Sequence, residues 1–190
     1  SRLDCIKVVT ALLDAGADVN RSDNNGHSPL VDASYRGDLE VVQCLMRAGA
    51  DVKDSANNSG RTPLHRASER GHVEVVKCLL AAGSYVNRSD IYSITSLYQA
   101  CIEGHAEVAQ ALLSAEAAVN KGNSDGVSPL HAATWKGHIT VVRDLLAAGA
   151  DVHNITNGGQ TALRCAIAMN HTQIADLLRD AGAHEPVASD

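Results

Sequence analysis

The sequence predicts an all-α solenoid: helix–turn–helix units stacked in a row, with loops of turn or β-hairpin type projecting from them. Three observations carry this expectation. Six related stretches, from "LLDAGADVN" to "LRDAGAHEP", place a turn residue at Gly16, Gly49, Gly83, Glu116, Gly149 and Gly182, at intervals of 33, 34, 33, 33 and 33. Two further markers, Ser28/Thr62/Thr95/Ser128/Thr161 and Gly37/Gly71/Gly104/Gly137/Asn170, recur at 34, 33, 33 and 33. Hydrophobic residues make up 45% of the 190 positions, but aromatic residues only 3% and Phe none, so the core is built from Leu, Val, Ile and Ala. Short side chains of that kind suit closely packed helices, and a unit of this length cannot bury its apolar face without a neighbour.

Each unit reads in the same order. Ser or Thr stands at an N-cap position, followed in three copies by Pro29, Pro63 or Pro129 at the first helical position, where no hydrogen bond is lost. A short apolar helix such as "LHRASER" ends at the third marker, where glycine permits positive φ. A second helix such as "HVEVVKCLLAAG" carries apolar residues at helical spacing. The loop "ADVN..D..G" follows, and the extra residue of the longer interval lies within 51–60.

The boundaries that follow are a partial first unit over 1–23, full units over 24–56, 57–89, 90–122 and 123–155, a capping unit over 156–184, and a tail over 185–190. Leu3 to Gly16 matches a second helix alone, as expected of an array cut from a longer chain or opening on a half-unit. Near the other end Arg179 replaces Leu80, Leu113 and Leu146, as a solvent-facing cap requires.

"GRTPLHRASERGHVEVVKCLLAAG" and "GVSPLHAATWKGHITVVRDLLAAGADV" resemble ankyrin repeats, and the resemblance covers essentially the whole chain. It implies a protein-binding module, acting as scaffold, adaptor or inhibitor. It also implies structural roles for the recurrent His72, His105, His138 and His171, and for His65 and His131 of "PLH". Asn20, Asn87 and Asn120, each eight residues after a leucine, resemble the pattern that asparaginyl hydroxylases accept, although a turn asparagine is the simpler reading.

Other chemistry has little support. No P-loop, GxGxxG or nucleophile motif is present, so neither enzyme nor cofactor is expected. The five cysteines show no zinc spacing and read as small core residues in a reducing compartment, cytoplasmic or nuclear. A net charge of −6 makes nucleic acid a poor default partner. No apolar run is long enough to insert in a membrane, and no signal peptide is visible, in a chain that begins with Ser.

In ankyrin proteins a concave surface is lined by loop tips and by the exposed side of first helices. Transferred copy by copy, that surface takes Tyr35, Arg36, Arg61, Arg66 and Arg70 in one half, against Asp32 and Glu69. It takes Tyr92, Ile94, Ile102, Val127, Trp135 and Lys136 in the other. The expected partner is a protein or peptide with an acidic segment beside an apolar or aromatic anchor. Two rival readings are a small-molecule or nucleotide receptor stacking its ligand on Trp135 and Tyr92, and a purely structural spacer in a longer chain.

The fourth repeat departs most from its sisters. Ser93 stands at the loop glycine, Ser96 at the proline and Glu116 at the second-helix turn, while Ile91, Tyr92 and Ile94 replace mostly small or polar residues. The expectation is a locally weakened repeat that has gained contact surface.

Overall fold

The computed structural model describes residues 2–184, with side chains from Ile6 onward. Eleven helices lie among them: α1 (Arg2–Asp14), α2 (Pro29–Arg36), α3 (Leu39–Arg47), α4 (Pro63–Glu69), α5 (Val73–Ala81), α6 (Ser96–Glu103), α7 (Ala106–Ser114), α8 (Pro129–Lys136), α9 (Ile139–Ala147), α10 (Ala162–Ala168) and α11 (Thr172–Asp180). First helices α2, α4, α6, α8 and α10 form one row, each against the next. Second helices α1, α3, α5, α7, α9 and α11 form the other row. The tail over 185–190 lies outside the described residues.

The caps form as the sequence implies. Ser28, Thr62, Thr95, Ser128 and Thr161 each accept from a first-turn amide, that of Val31, His65, Tyr98, His131 and Arg164 respectively. Each such cap is worth about 1 kcal/mol. The loops differ from the β-hairpin expectation. Among the described residues they hold no strand, only the isolated antiparallel bridges Ser89–Thr95 and Ile155–Thr161. The reason is length: the backbone closes from Asp23 N to His27 O at 3.0 Å, and from Asp90 N to Ile94 O at 2.9 Å, leaving too few residues for a ladder. The tips pair instead with one another along the stack, through Asn58 N to Asn25 O, Ile91 N to Ser59 O, Ser124 N to Tyr92 O and Asn157 N to Asp125 O.

The core runs the length of the stack. Leu45, Leu79, Leu112, Leu145 and Leu178 are at most 2% exposed, whereas Leu12, in the same register, is 56% exposed, on a helix with no preceding first helix among the described residues. Arg179 is exposed and pairs with Asp176 at 3.0 Å, in the register where Leu80, Leu113 and Leu146 pack on the core.

Two sets of histidines tie neighbouring repeats. His72, His105, His138 and His171 direct Nε2 at the carbonyls of Tyr35, Glu69, Ile102 and Trp135, at 3.0, 3.1, 3.2 and 3.2 Å. A carbonyl only accepts, so Nε2 carries the proton. The third glycine marker follows from this contact as much as from its positive φ. A Cβ at Gly37, Gly71, Gly104 or Gly137 would come within 2.4, 2.6, 2.6 or 2.8 Å of the next repeat's imidazole. Asn170 meets no such ring among the described residues and keeps the left-handed turn, at φ 57°. In the second set, His65 and His131 donate from Nε2 to Ile94 O and Gln160 O, at 3.0 and 3.1 Å, with Nδ1 turned to the capping hydroxyl of Thr62 or Ser128.

The fourth repeat keeps the backbone of its sisters without their glycines. Ser93 and Glu116 adopt φ of 60° and 63°. Glu116 has room: a Cβ at Gly16, Gly49, Gly149 or Gly182 would meet nothing within 4 Å. Only the torsional cost remains, about 1 kcal/mol. Ser96, 1% exposed, leaves its Oγ without a partner where Pro63, Pro129 and Ala162 are buried in other repeats.

Three stability outcomes follow. Glu116→Gly should raise the urea-unfolding free energy by about 1 kcal/mol. Leu79→Ala should lower it by about 2–5 kcal/mol, and Leu12→Ala by less than about 1 kcal/mol. Burial pushes the pKa of His65 down to about 4, so the unfolded chain takes up the proton first as pH falls from about 6.5. Its contribution is therefore complete above pH 6.5 and is lost toward pH 4, on the order of 3 kcal/mol in all. Unfolding at pH 7, 6 and 5 should show this decline, and His65→Gln should flatten it.

Candidate protein-binding surface

Two structural features present side chains on the first-helix side of the stack. One is the C-terminal end of each first helix, whose backbone is held by a histidine of the next repeat. The other is the row of hydrogen-bonded loop tips. At the helix ends Arg36, Arg70, Trp135 and Lys136 are exposed, while Tyr35 and Ile102 are half-buried. At and beside the tips Tyr92 is exposed, and Arg61, Ile94 and Val127 are half-buried. Trp135 is 57% exposed and Tyr92 56%, a large apolar display for a chain with one tryptophan.

The four arginines are not equivalent. Arg61 Nε meets Asp90 Oδ2 at 3.2 Å, and the Asp90 side chain is wholly buried. The other Asp90 oxygen accepts from the amides of Tyr92 and Ile94, both at 2.9 Å, which holds the fourth repeat's tip in shape. Glu69 Oε2 takes Arg61 Nη1 at 3.3 Å and Arg66 Nη1 at 2.6 Å. The Arg66 guanidinium lies 4.0 Å from the centre of the Tyr35 ring and that of Arg70 lies 4.4 Å from it. The result is one connected chain: Asp90, Arg61, Glu69, Arg66, Tyr35, Arg70. Arg61 and Arg66 are committed to carboxylates of the fold, Asp90 and the Glu69 that the sequence sets against them. Arg70 and Arg36 lie outside the ion pairs found among the described residues.

The sequence reading passed over Asp90. Its sisters Asp23, Asn57 and Asn123 also accept two tip amides, so the position reads as ordinary turn chemistry. The only signal was a carboxylate in the register of Asn57 and Asn123, in the repeat that follows Arg61. Two exposed apolar residues also emerge at the far end, Ile167 at 41% and Met169 at 44%. Ile167 shares the register of Ser34, Ser68, Cys101 and Thr134, which the next repeat buries completely. No first helix follows α10 among the described residues.

The three loop asparagines act as clasps. Asn20 Oδ1 accepts from Asp51 N at 2.8 Å, Asn87 Oδ1 from Ala118 N at 2.7 Å and Asn120 Oδ1 from Asp151 N at 2.8 Å. Asn87 Nδ2 also donates to Glu116 O at 3.2 Å. A hydroxylase acting on these residues has to open the clasp first. Burial pushes the Cys101 thiol pKa well up, which leaves it unreactive. Among the described residues no group of three or more His, Cys, Asp or Glu side chains could hold a metal. No helix among them is long and apolar enough to cross a membrane.

No curated protein matches the chain. A family model described as ankyrin repeats (3 copies) matches residues 2–90 and again 97–189. With its repeats, histidine ties and paired helices in register from end to end, the chain belongs to the ankyrin-repeat family, whose members are generally protein–protein interaction modules.

Proposed function

We propose that this chain is a non-enzymatic scaffold, adaptor or inhibitor that takes a partner protein across the row of first-helix ends and loop tips. The observation that carries the reading is Trp135. The chain's only tryptophan sits 57% exposed at the end of α8, on a backbone carbonyl held by His171. A large aromatic on a fixed backbone loses little freedom on binding, and tryptophan is among the residues that dominate binding hot spots. Ile102, one repeat away in the same register, and Tyr92 at its tip widen the apolar area for an aromatic or aliphatic anchor. Arg36 and Arg70 at the other end favour an acidic stretch in the partner, which would speed and orient the encounter. Free thiols at Cys44, Cys78, Cys101 and Cys165 fit a reducing, intracellular setting.

The test compares Trp135→Ala with Glu74→Ala, a substitution on a second helix where the carboxylate is exposed and paired only with Lys77. Against a partner recovered with the wild-type protein, Trp135→Ala should weaken binding by about tenfold or more, and Glu74→Ala by less than about twofold. Equal losses would remove the surface assignment.

A further inference from the structure

The ion-pair network supports a sharper statement, which rests on the proposed function. We infer that Arg70, seated on Tyr35 and with Arg36 one repeat away in the same register, reads one anionic side chain of the bound segment, a carboxylate or a phosphate, about six residues from the segment's apolar anchor at Trp135.

The four arginines differ in the donors they have left to give. Arg61 and Arg66 already bond Asp90 and Glu69. Arg70 keeps its planar fork of N–H donors while its face is held on the Tyr35 ring at 4.4 Å. Stacking restricts the guanidinium without using its donors, so less freedom is lost when an oxyanion docks. Arg66, at 4.0 Å from the same ring, fixes Tyr35 from within the network. Glu69 is occupied by Arg61 and Arg66, which leaves it poorly placed to compete for Arg70. Tyr35 thus serves as a platform, and the recognition belongs to Arg70 and Arg36.

The spacing follows from the stack. Arg70 follows α4 and Trp135 lies near the end of α8, with α6 between them and in contact with both. Packed helices sit about 8–10 Å apart, so the two side chains rise from points about 16–20 Å apart. An extended chain advances about 3.3 Å per residue, which sets anion and anchor about five or six positions apart.

The experiment titrates ¹⁵N-labelled protein with synthetic peptides carrying one glutamate and one tryptophan, placed six or two positions apart. It follows the Arg70 Nε–H and Trp135 indole signals. The six-apart peptide should move both, with an affinity about tenfold above that of the two-apart peptide, which cannot reach both points. Arg70→Gln should remove that advantage and leave unchanged the binding of a peptide with glutamine in place of glutamate. A phosphoserine peptide of the same spacing distinguishes the anion: tighter binding than glutamate assigns phosphate, and equal or weaker binding assigns carboxylate. Movement of Trp135 without Arg70, or equal affinity at both spacings, overturns the inference and leaves the proposed function standing. If neither signal moves, both fall.

Discussion

The structure depends on one repeated contact, in which the histidine opening α5, α7, α9 or α11 donates to the last-turn carbonyl of the previous repeat's first helix. The bond alone is modest, about 1 kcal/mol net, but it has a steric condition attached. The ring fits only because the residue beside it has no Cβ. Gly37, Gly71, Gly104 and Gly137 therefore serve two neighbours at once: they turn their own chain with positive φ and make room for the next repeat's imidazole.

The same logic separates glycines that can be lost from those that cannot. Glu116 takes left-handed backbone at a torsional cost only, and Ser93 takes it as well. At Gly26 and Gly126 an added Cβ would press within 2.5 and 2.9 Å of Asn58 and Asn157 in the following tip. The corresponding neighbour of Ser93 is Ser124, a smaller residue. The fourth repeat has thus departed from the common pattern where the surrounding packing allows it, and Asp90 braces the tip that carries its exposed Ile91 and Tyr92.

Most of the architecture was legible because it is periodic. Caps, turns and buried leucines recur, and each copy checks the others. The loops were legible as turn or β-hairpin and no further, because turn residues announce a reversal but not how many residues remain to form a ladder. The surface was legible only as a register. Sequence placed Arg36, Arg61, Arg66 and Arg70 on one face but could not show which of them the fold consumes. That depends on contacts across repeats, such as Arg61 with Asp90, 29 positions apart. Ile167 escaped for a related reason: its helical pattern marks a buried position, and no first helix follows α10 among the described residues to cover it.

The histidine ties also bear on how such a surface changes over generations. They grip the main chain of Tyr35, Glu69, Ile102 and Trp135 and make no demand on those side chains. Four residues as unlike as tyrosine, glutamate, isoleucine and tryptophan occupy equivalent places on equivalent backbone. A change of side chain at these sites therefore leaves the tie itself intact, and the constraint of the tie falls on the glycine and the histidine.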